Sequence, residues 1–499
     1  MSGIRVTYSG LIALLTGLIT LGTGLVFMVI VTRTLSIEEY GIFGVIIGLL
    51  VYGSVLDNLV SFWAIRETAR GVKSGKTVAL LGTGIFSTAG IFIYIIAAFI
   101  VGLETQIDQS ILLFAVILLP TKFLMKNLNS MNQGWKPQIL SYAYLISESI
   151  KIPSVLIFLL FLDMGVSGVI LSLLMASIGG CTVHLILGRT KLKNKINIEF
   201  VKKWFKLSWI PLYGKIASVL LATDVIVFSI IVGSVEGVAL MTAALVIANL
   251  VSFAKATSSS VESKLLEGGA RGYLRENVSL LFYFIFPLAA LSFTFAKPGL
   301  FALNPIYEIA VPIVIFMTLR VLFFSLSDVF VEFLRGIEKV DLKPESTFKD
   351  FIKSKLFSLP TIRIIHGSFY LIILVILLLL ERDTVSQLEL VIHWAIISLA
   401  TTIPFTIYLY LMVKKNFSFS LDISRIFKFL LASIVIFGSV FFLSEEFLEY
   451  NNDVFQFVPN LLLLAGIGVG GYLLITYLID FKIRSLVSSV IGEIIKRKK

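Results

Sequence analysis

The stretch Trp204–Gly233, WFKLSWIPLYGKIASVLLATDVIVFSIIVG, decides how the rest of the chain reads. It is apolar and longer than the roughly 20 residues that carry a helix across a bilayer at about 1.5 Å per residue, yet it contains Lys215 and Asp224. Each costs roughly 2.5 to 3.5 kcal/mol to insert, so each needs a partner or water. They cannot serve each other. Nine residues at 3.6 per turn is two and a half turns, which sets them on opposite faces, roughly 13 Å apart along the axis. The stretch follows six comparable apolar segments and precedes seven more, so it opens a second half.

Composition agrees. The chain has 499 residues, 57% of them hydrophobic and 15% charged, and a mean hydropathy of +0.97. This is a polytopic membrane protein, because a soluble core of this length cannot hide so much apolar surface. One cysteine, Cys181, excludes an intrachain disulfide framework. Cys181 and His184 make a C-x-x-H pair, but two ligands without partners read as packing residues, and the other histidines, His366 and His393, are scattered. No metal site and no cofactor is expected.

Outward from the seventh run, apolar segments occupy about 10–32, 40–64, 77–101, 110–126, 138–162, 164–188, 205–233, 237–258, 278–299, 309–333, 360–380, 390–412, 426–444 and 458–480. The first reads as a retained anchor. Charge checks the number of spans independently, since lysine and arginine collect on the cytoplasmic side. With the N terminus inside, the even-numbered connections, the termini and the adjacent helix ends hold 36 of the 42 basic residues. Arg33, Lys297 and Arg382 fall outside, and Lys151, Lys215 and Arg320 fall within spans. Fourteen spans with both termini cytoplasmic are therefore expected, in a cell (plasma or inner) membrane. The alternation also explains the net charge of +11 without nucleic acid.

The expected organisation is an N-terminal lobe at 1–188, a cytoplasmic linker at 189–204, a C-terminal lobe at 205–412, two further spans at 413–481 and a cytoplasmic amphipathic tail at 482–499. Residues 344–357 carry Phe348, Phe351, Ile352 and Leu356 on one helical face, as an interfacial helix does, and the tail repeats that pattern. Gly71-Val-Lys-Ser-Gly75-Lys76-Thr77 has three residues between its glycines where a phosphate loop needs four, so it reads as a charged turn. Gly466, Gly468, Gly470 and Gly471 lie inside the last span, where small residues let helices approach.

Charges inside the membrane are the better clues to function. Arg320 lies eleven residues into its span with no carboxylate three or four residues away. Lys151 has Glu148 one turn away on the same face, so a structural ion pair competes with a substrate role. Lys215 is near enough to the cytoplasmic end to snorkel. Asp57 and Asp224 are candidate proton or cation sites, or helix-to-helix hydrogen-bonding groups. Buried cations without metal ligands or a catalytic set suit an anion, phosphate above all. A transporter of two bundles rocking about a central site needs such charges from both halves, and Lys151 belongs to the first while Lys215 and Arg320 belong to the second. Arg320, Lys215 and Lys151 are the candidate diphosphate-binding residues.

At Thr32-Arg33-Thr-Leu-Ser-Ile-Glu-Glu39-Tyr40-Gly41 the chain resembles the polysaccharide-transporter (Wzx-like) branch of the multidrug/oligosaccharidyl-lipid/polysaccharide (MOP) flippase superfamily. Asp57 followed by Arg66, Gly165-Val-Ser-Gly168, Asp224 ahead of Gly233 and Arg335-Gly336 extend the likeness over nearly the whole length. It departs at Gly237, where that family often has an aromatic two residues later and this chain has Val238 and Ala239. Ser234-Val-Glu236 echoes Ser36-Ile-Glu38, as related halves do. The resemblance implies an all-α, MATE/MOP-like fold of two six-helix lobes with two C-terminal helices. It implies a flippase, not an enzyme, that carries a lipid-diphosphate-linked oligosaccharide from the inner to the outer leaflet for polysaccharide assembly. The implied partners are that substrate, membrane lipids, and polymerase or glycosyltransferase machinery. Arg33, Asp57 and Asp224 become candidate gating or ion-coupling residues, with Na+ or H+ as the possible coupling ion. A drug/cation antiporter shares the expected fold but suits buried lysine and arginine poorly. A polytopic glycosyltransferase, polymerase or ligase usually has a sizeable outer loop, which this chain lacks.

Overall fold

The computed structural model describes residues 6–69, 81–133, 135–136, 138–192, 208–258, 273–338, 348–417 and 421–485, with the isolated positions 198, 265, 340 and 488. Among these residues every regular element is a helix. In chain order they are α1 (Val6–Thr34), α2 (Ile37–Gly53), α3 (Asp57–Ala69), α4 (Gly82–Glu104), α5 (Gln109–Gln133), α6 (Gln138–Phe161), α7 (Gly165–Leu192), α8 (Trp209–Val232) and α9 (Glu236–Ala248), which continues as a 3-10 helix over Asn249–Ser258. Then come α10 (Tyr273–Thr294), α11 (Ala296–Leu303), α12 (Val311–Gly336), α13 (Phe348–Lys353), α14 (Lys355–Glu381), α15 (Gln387–Asn416), α16 (Ile423–Phe447) and α17 (Val454–Ile479). Among the described residues twelve helices are long and apolar enough to span a membrane, or thirteen if the bent pair α2–α3 is one span. With the 29-residue α1, of which Gly22–Thr34 is a shorter apolar helix, they follow the order of the fourteen apolar runs of the sequence. This is a multi-pass membrane protein.

Three boundaries differ from the sequence reading. The fourth run does not stop at 126; α5 is a 25-residue span ending at Gln133. Its last two turns are rich in amides, which lowers hydropathy, but Asn127, Leu128, Ser130, Met131 and Asn132 are buried. Lys122 and Lys126, at the end of the fourth run as read from the sequence, therefore sit well inside the span. The second run is not continuous: α2 and α3 meet at 64° across a break at 54–56. Short backbone bonds, Val55 N to Tyr52 O and Asp57 N to Ser54 O, both 3.1 Å, replace the α-helical ladder there. The interfacial helix expected over 344–357 is confined, among the described residues, to α13, with Phe348 exposed and Phe351 buried, before α14 begins at Lys355. The glycine-spaced turn at Gly71–Thr77 and nearly all of the tail helix lie outside the described residues.

The chain forms two compact units, Met1–Thr242 with Leu356–Val391, and Ala243–Lys355 with Ile392–Lys499. In the first unit the turn opening α2 shows why the Glu39-Tyr40-Gly41 signature has its form. Ser36 and Glu39 make a capping box: Glu39 N donates to Ser36 Oγ at 3.1 Å and Ser36 N donates to Glu39 Oε2 at 2.9 Å. Tyr40 is fully buried. Gly41 packs its backbone on the carbonyl of Val235, where any Cβ would collide. Opposite, Gly165 opens α7 at φ +53°, a conformation only glycine adopts freely, and a Cβ on it would lie 2.6 Å from Glu39 Oε1.

The corresponding turn at Ser234 has its own brace. Glu236 N donates to Ser234 Oγ at 3.3 Å, and the Gln387 amide reaches the same oxygen at 2.7 Å. Ser386 and Glu389 cap α15 reciprocally at 2.8 and 3.3 Å. Val238 and Ala239, where the resemblance departs, are fully buried small residues, and a Cβ on Gly237 would lie 2.5 Å from the Phe228 ring.

In the second unit, α16 and α17 pack through the last span's glycines. A Cβ on Gly468 would press on Phe437 at 2.8 Å, and one on Gly471 would touch Ile436 at 3.4 Å. Tyr283, Phe429, Phe437 and Tyr472 form the adjoining core, which Ile483 joins just after α17.

Candidate functional site

Lys215 and Asp224 resolve the problem they posed as the geometry of a helix required, each on its own face of α8 with its own neighbour. Lys215 Nζ pairs with Asp57 Oδ1 at 3.2 Å, with side chains only 18% and 14% exposed. Tyr370 Oη, from α14, donates to Asp224 Oδ2 at 2.7 Å, and Asp224 Oδ1 accepts from the backbone N–H of Val225 at 2.8 Å. One residue earlier, Thr223 accepts from Tyr52 Oη of α2 at 2.6 Å. Asp57 owes its position to the helix break, since it is the first residue of α3 and so lies at that half-helix's N-terminal end. Broken backbone inside a span is tolerated where protein or water satisfies it.

A third charge belongs to this group, and sequence reasoning missed it. Lys122, midway along the span α5, interacts electrostatically with both Asp57 and Lys215. Its side chain is exposed, whereas its neighbours Leu119 and Phe123 are buried. The signal was available: Leu124, Leu128 and Met131 continue the helical spacing past the point where hydropathy falls.

Lys151 stands apart from that group. Its Nζ lies 2.6 Å from Glu148 Oε2, Thr23 Oγ1 donates to the same oxygen at 2.6 Å, and the ammonium sits 5.2 Å from the Phe27 ring centroid. The ion pair with Glu148, one of the two alternatives for this lysine, is present. Arg33 lies in the last turn of α1, beside the capping box.

In the second unit, Arg320 is half-buried on α12, with its guanidinium 5.5 Å from the Phe324 ring. Its Nε is buried and has no hydrogen-bond partner among the described residues. Two turns further, Asp328 accepts from Lys255 Nζ at 3.0 Å, so that carboxylate has a lysine from the 3-10 segment following α9. A planar fork with one arm unsatisfied suits an oxyanion better than an internal packing role. Cys181 and His184 go separate ways: Sγ faces Thr121 O at 3.7 Å, while His184 Nδ1 meets Asn132 Nδ2 at 2.9 Å.

The fold has close parallels among solved structures. The lipid II flippase MurJ in an inward closed conformation aligns over 96% of this chain and 99% of its own, with a TM-score of 0.63 and 16% identity. An inward-facing multidrug resistance MATE family transporter of the MOP superfamily aligns over 80% of this chain and 95% of its own, with a TM-score of 0.58 and 14% identity. A MATE structure in the straight conformation aligns over 83% and 99%, with a TM-score of 0.56 and 13% identity. The fold is thus that of MATE and MurJ. No family model matches the chain, and no curated protein matches it.

Proposed function

We propose that the chain is a flippase that moves a lipid-(di)phosphate-linked oligosaccharide from the cytoplasmic to the outer leaflet by alternating access, in polysaccharide or glycan assembly. The observation that carries this reading is the set of interior cations in each unit of a transporter fold. In the first, Lys215 pairs with Asp57 while Lys122 lies within electrostatic range of both, and in the second, the buried Nε of Arg320 has no hydrogen-bond partner among the described residues. A permanently charged fork and a pair of ammonium groups at span depth are costly unless an anion visits them. Lys151 contributes only on leaving Glu148.

The likeness to MurJ over nearly the whole length supports a lipid-linked substrate, and the Glu39-Tyr40-Gly41 turn supports the polysaccharide branch. In this reading Asp57, Asp224 and Arg33 gate the cycle or couple it to Na+ or H+. Both termini lie in the cytoplasm, and biosynthetic glycosyltransferases or a polymerase are the natural partners.

A drug/cation antiporter is the competing reading, favoured by the MATE likeness. Against it, the interior lysines and arginine suit a cationic substrate poorly. Reconstitution in liposomes decides between them. Flipping of a fluorescent polyprenyl-diphosphate oligosaccharide is expected, and proton- or sodium-driven efflux of a cationic dye without such flipping overturns the proposal.

A further inference from the structure

Lys215 Nζ pairs with Asp57 Oδ1 at 3.2 Å, and a second ammonium, Lys122 of α5, lies within electrostatic range of both. We infer that Asp57 is a placeholder for the substrate's anionic group: it occupies the lysine pair in the empty protein, and an incoming diphosphate displaces it. This rests on the reading of the chain as a carrier of a diphosphate-linked substrate.

Three features argue for displacement over a permanent bond. The pairing is lopsided, since one carboxylate cannot neutralise two lysines, whereas a diphosphate offers oxygens to both. The Lys215–Asp57 contact is a single 3.2 Å approach through one oxygen, unlike the two-pronged Arg425–Asp480 bond of the second unit. Asp57 also follows directly on the break at 54–56, where α3 meets α2 at 64°. The carboxylate can therefore move with α3 while α2 stays on its capping box. Once away from Lys215 it still lies at the N-terminal end of α3, where the helix dipole favours a negative charge. Substrate arrival and a movement of α3 become one event, and the returning carboxylate helps expel the substrate.

The test is binding to the full-length protein in nanodiscs, using geranylgeranyl diphosphate and inorganic pyrophosphate as separate probes to distinguish a lipid-borne from a free anion. Asp57→Asn is expected to bind the lipid diphosphate about tenfold more tightly than wild type, the size of one charge-assisted competitor. It should flip substrate more slowly, because release loses its assistance. Lys122→Gln and Lys215→Gln should each weaken binding. Asp57→Ser serves as a second variant, and damage to the fold lowers affinity, so a gain in either variant is diagnostic. Unchanged or weaker binding by both Asp57 variants, with binding still lost in Lys215→Gln, overturns the placeholder and leaves the proposed function standing. Failure of wild type to bind the lipid diphosphate at all overturns both, and tighter pyrophosphate binding alone overturns the lipid-borne assignment.

Discussion

The hydroxyl of Tyr370 donates to Asp224 Oδ2 at 2.7 Å, tying α14 to α8 well inside both helices. A charge-assisted hydrogen bond of this kind contributes roughly 1.5 to 3 kcal/mol. Tyr370→Phe keeps the ring and deletes the donor, so its melting temperature in detergent should fall. Asp224→Asn, which retains an acceptor for Tyr370, should fall less. Equal melting temperatures for wild type and Tyr370→Phe would show that the bond contributes nothing.

Lys151 and Glu148 form a nearly buried pair, with side chains 13% and 10% exposed. Lys151→Ala leaves the carboxylate with Thr23 but without its counter-charge, a loss of about 3 to 5 kcal/mol. Removing both charges in Lys151→Ala/Glu148→Ala should recover part of that stability. Chemical unfolding of the two variants reads the difference, and a double variant no better than the single one refutes the coupling.

Arg320 should behave in the opposite way. Its guanidinium stacks near Phe324 and its Nε has no hydrogen-bond partner among the described residues, so Arg320→Ala should fold and melt close to wild type. Flipping in liposomes should drop by about ten- to a hundredfold. Arg320→Lys should also be impaired, since an ammonium cannot reproduce the bidentate fork. Normal flipping with poor stability would falsify the substrate-site role.

A pH dependence follows from Asp480, just beyond the end of α17. Burial acts to raise its carboxyl, but the Arg425 guanidinium, bonded at 2.7 and 3.1 Å, and the backbone N–H groups of Ile483 and Lys482 outweigh burial and hold it below the ordinary value of 3.8. A depressed folded value means the bond's stability is fully present above the unfolded value and is lost as pH falls through the folded one. Below roughly pH 4 the wild type should lose stability more steeply than Asp480→Asn, which should be weaker at neutral pH. Thermal unfolding across that range reads both slopes, and parallel curves would remove Asp480 from the acid transition.

The sequence made the helical class and the apolar runs legible because both rest on one quantity, hydropathy summed over about 20 residues. It also separated Lys215 from Asp224, since helical spacing alone puts them on opposite faces. What it could not show was a property of neighbours. Lys122 read as a helix-end charge because Lys126, Asn127 and Asn129 pull the local average down and end the run at 126, although Leu128 and Met131 keep that turn buried. The break before Asp57 was hinted at only by Gly53-Ser54, a pair that intact spans also contain. That Asp57 belongs with Lys215 is a fact about α3 and α8 meeting, which no pattern within either helix encodes. Glu39 was legible as part of a signature, but its two tasks, capping α2 and facing Gly165, needed the fold.

The break between α2 and α3 also bears on how the protein is made. Asp57 and Lys215 are 158 positions apart, so the acidic half-helix leaves the ribosome long before its lysine exists. During that interval Lys122, on the span α5, is the earlier cation available to hold Asp57 in place. A nascent chain ending before Trp204 should therefore depend on Lys122 to keep its second span inserted, and arrival of α8 would relieve that dependence.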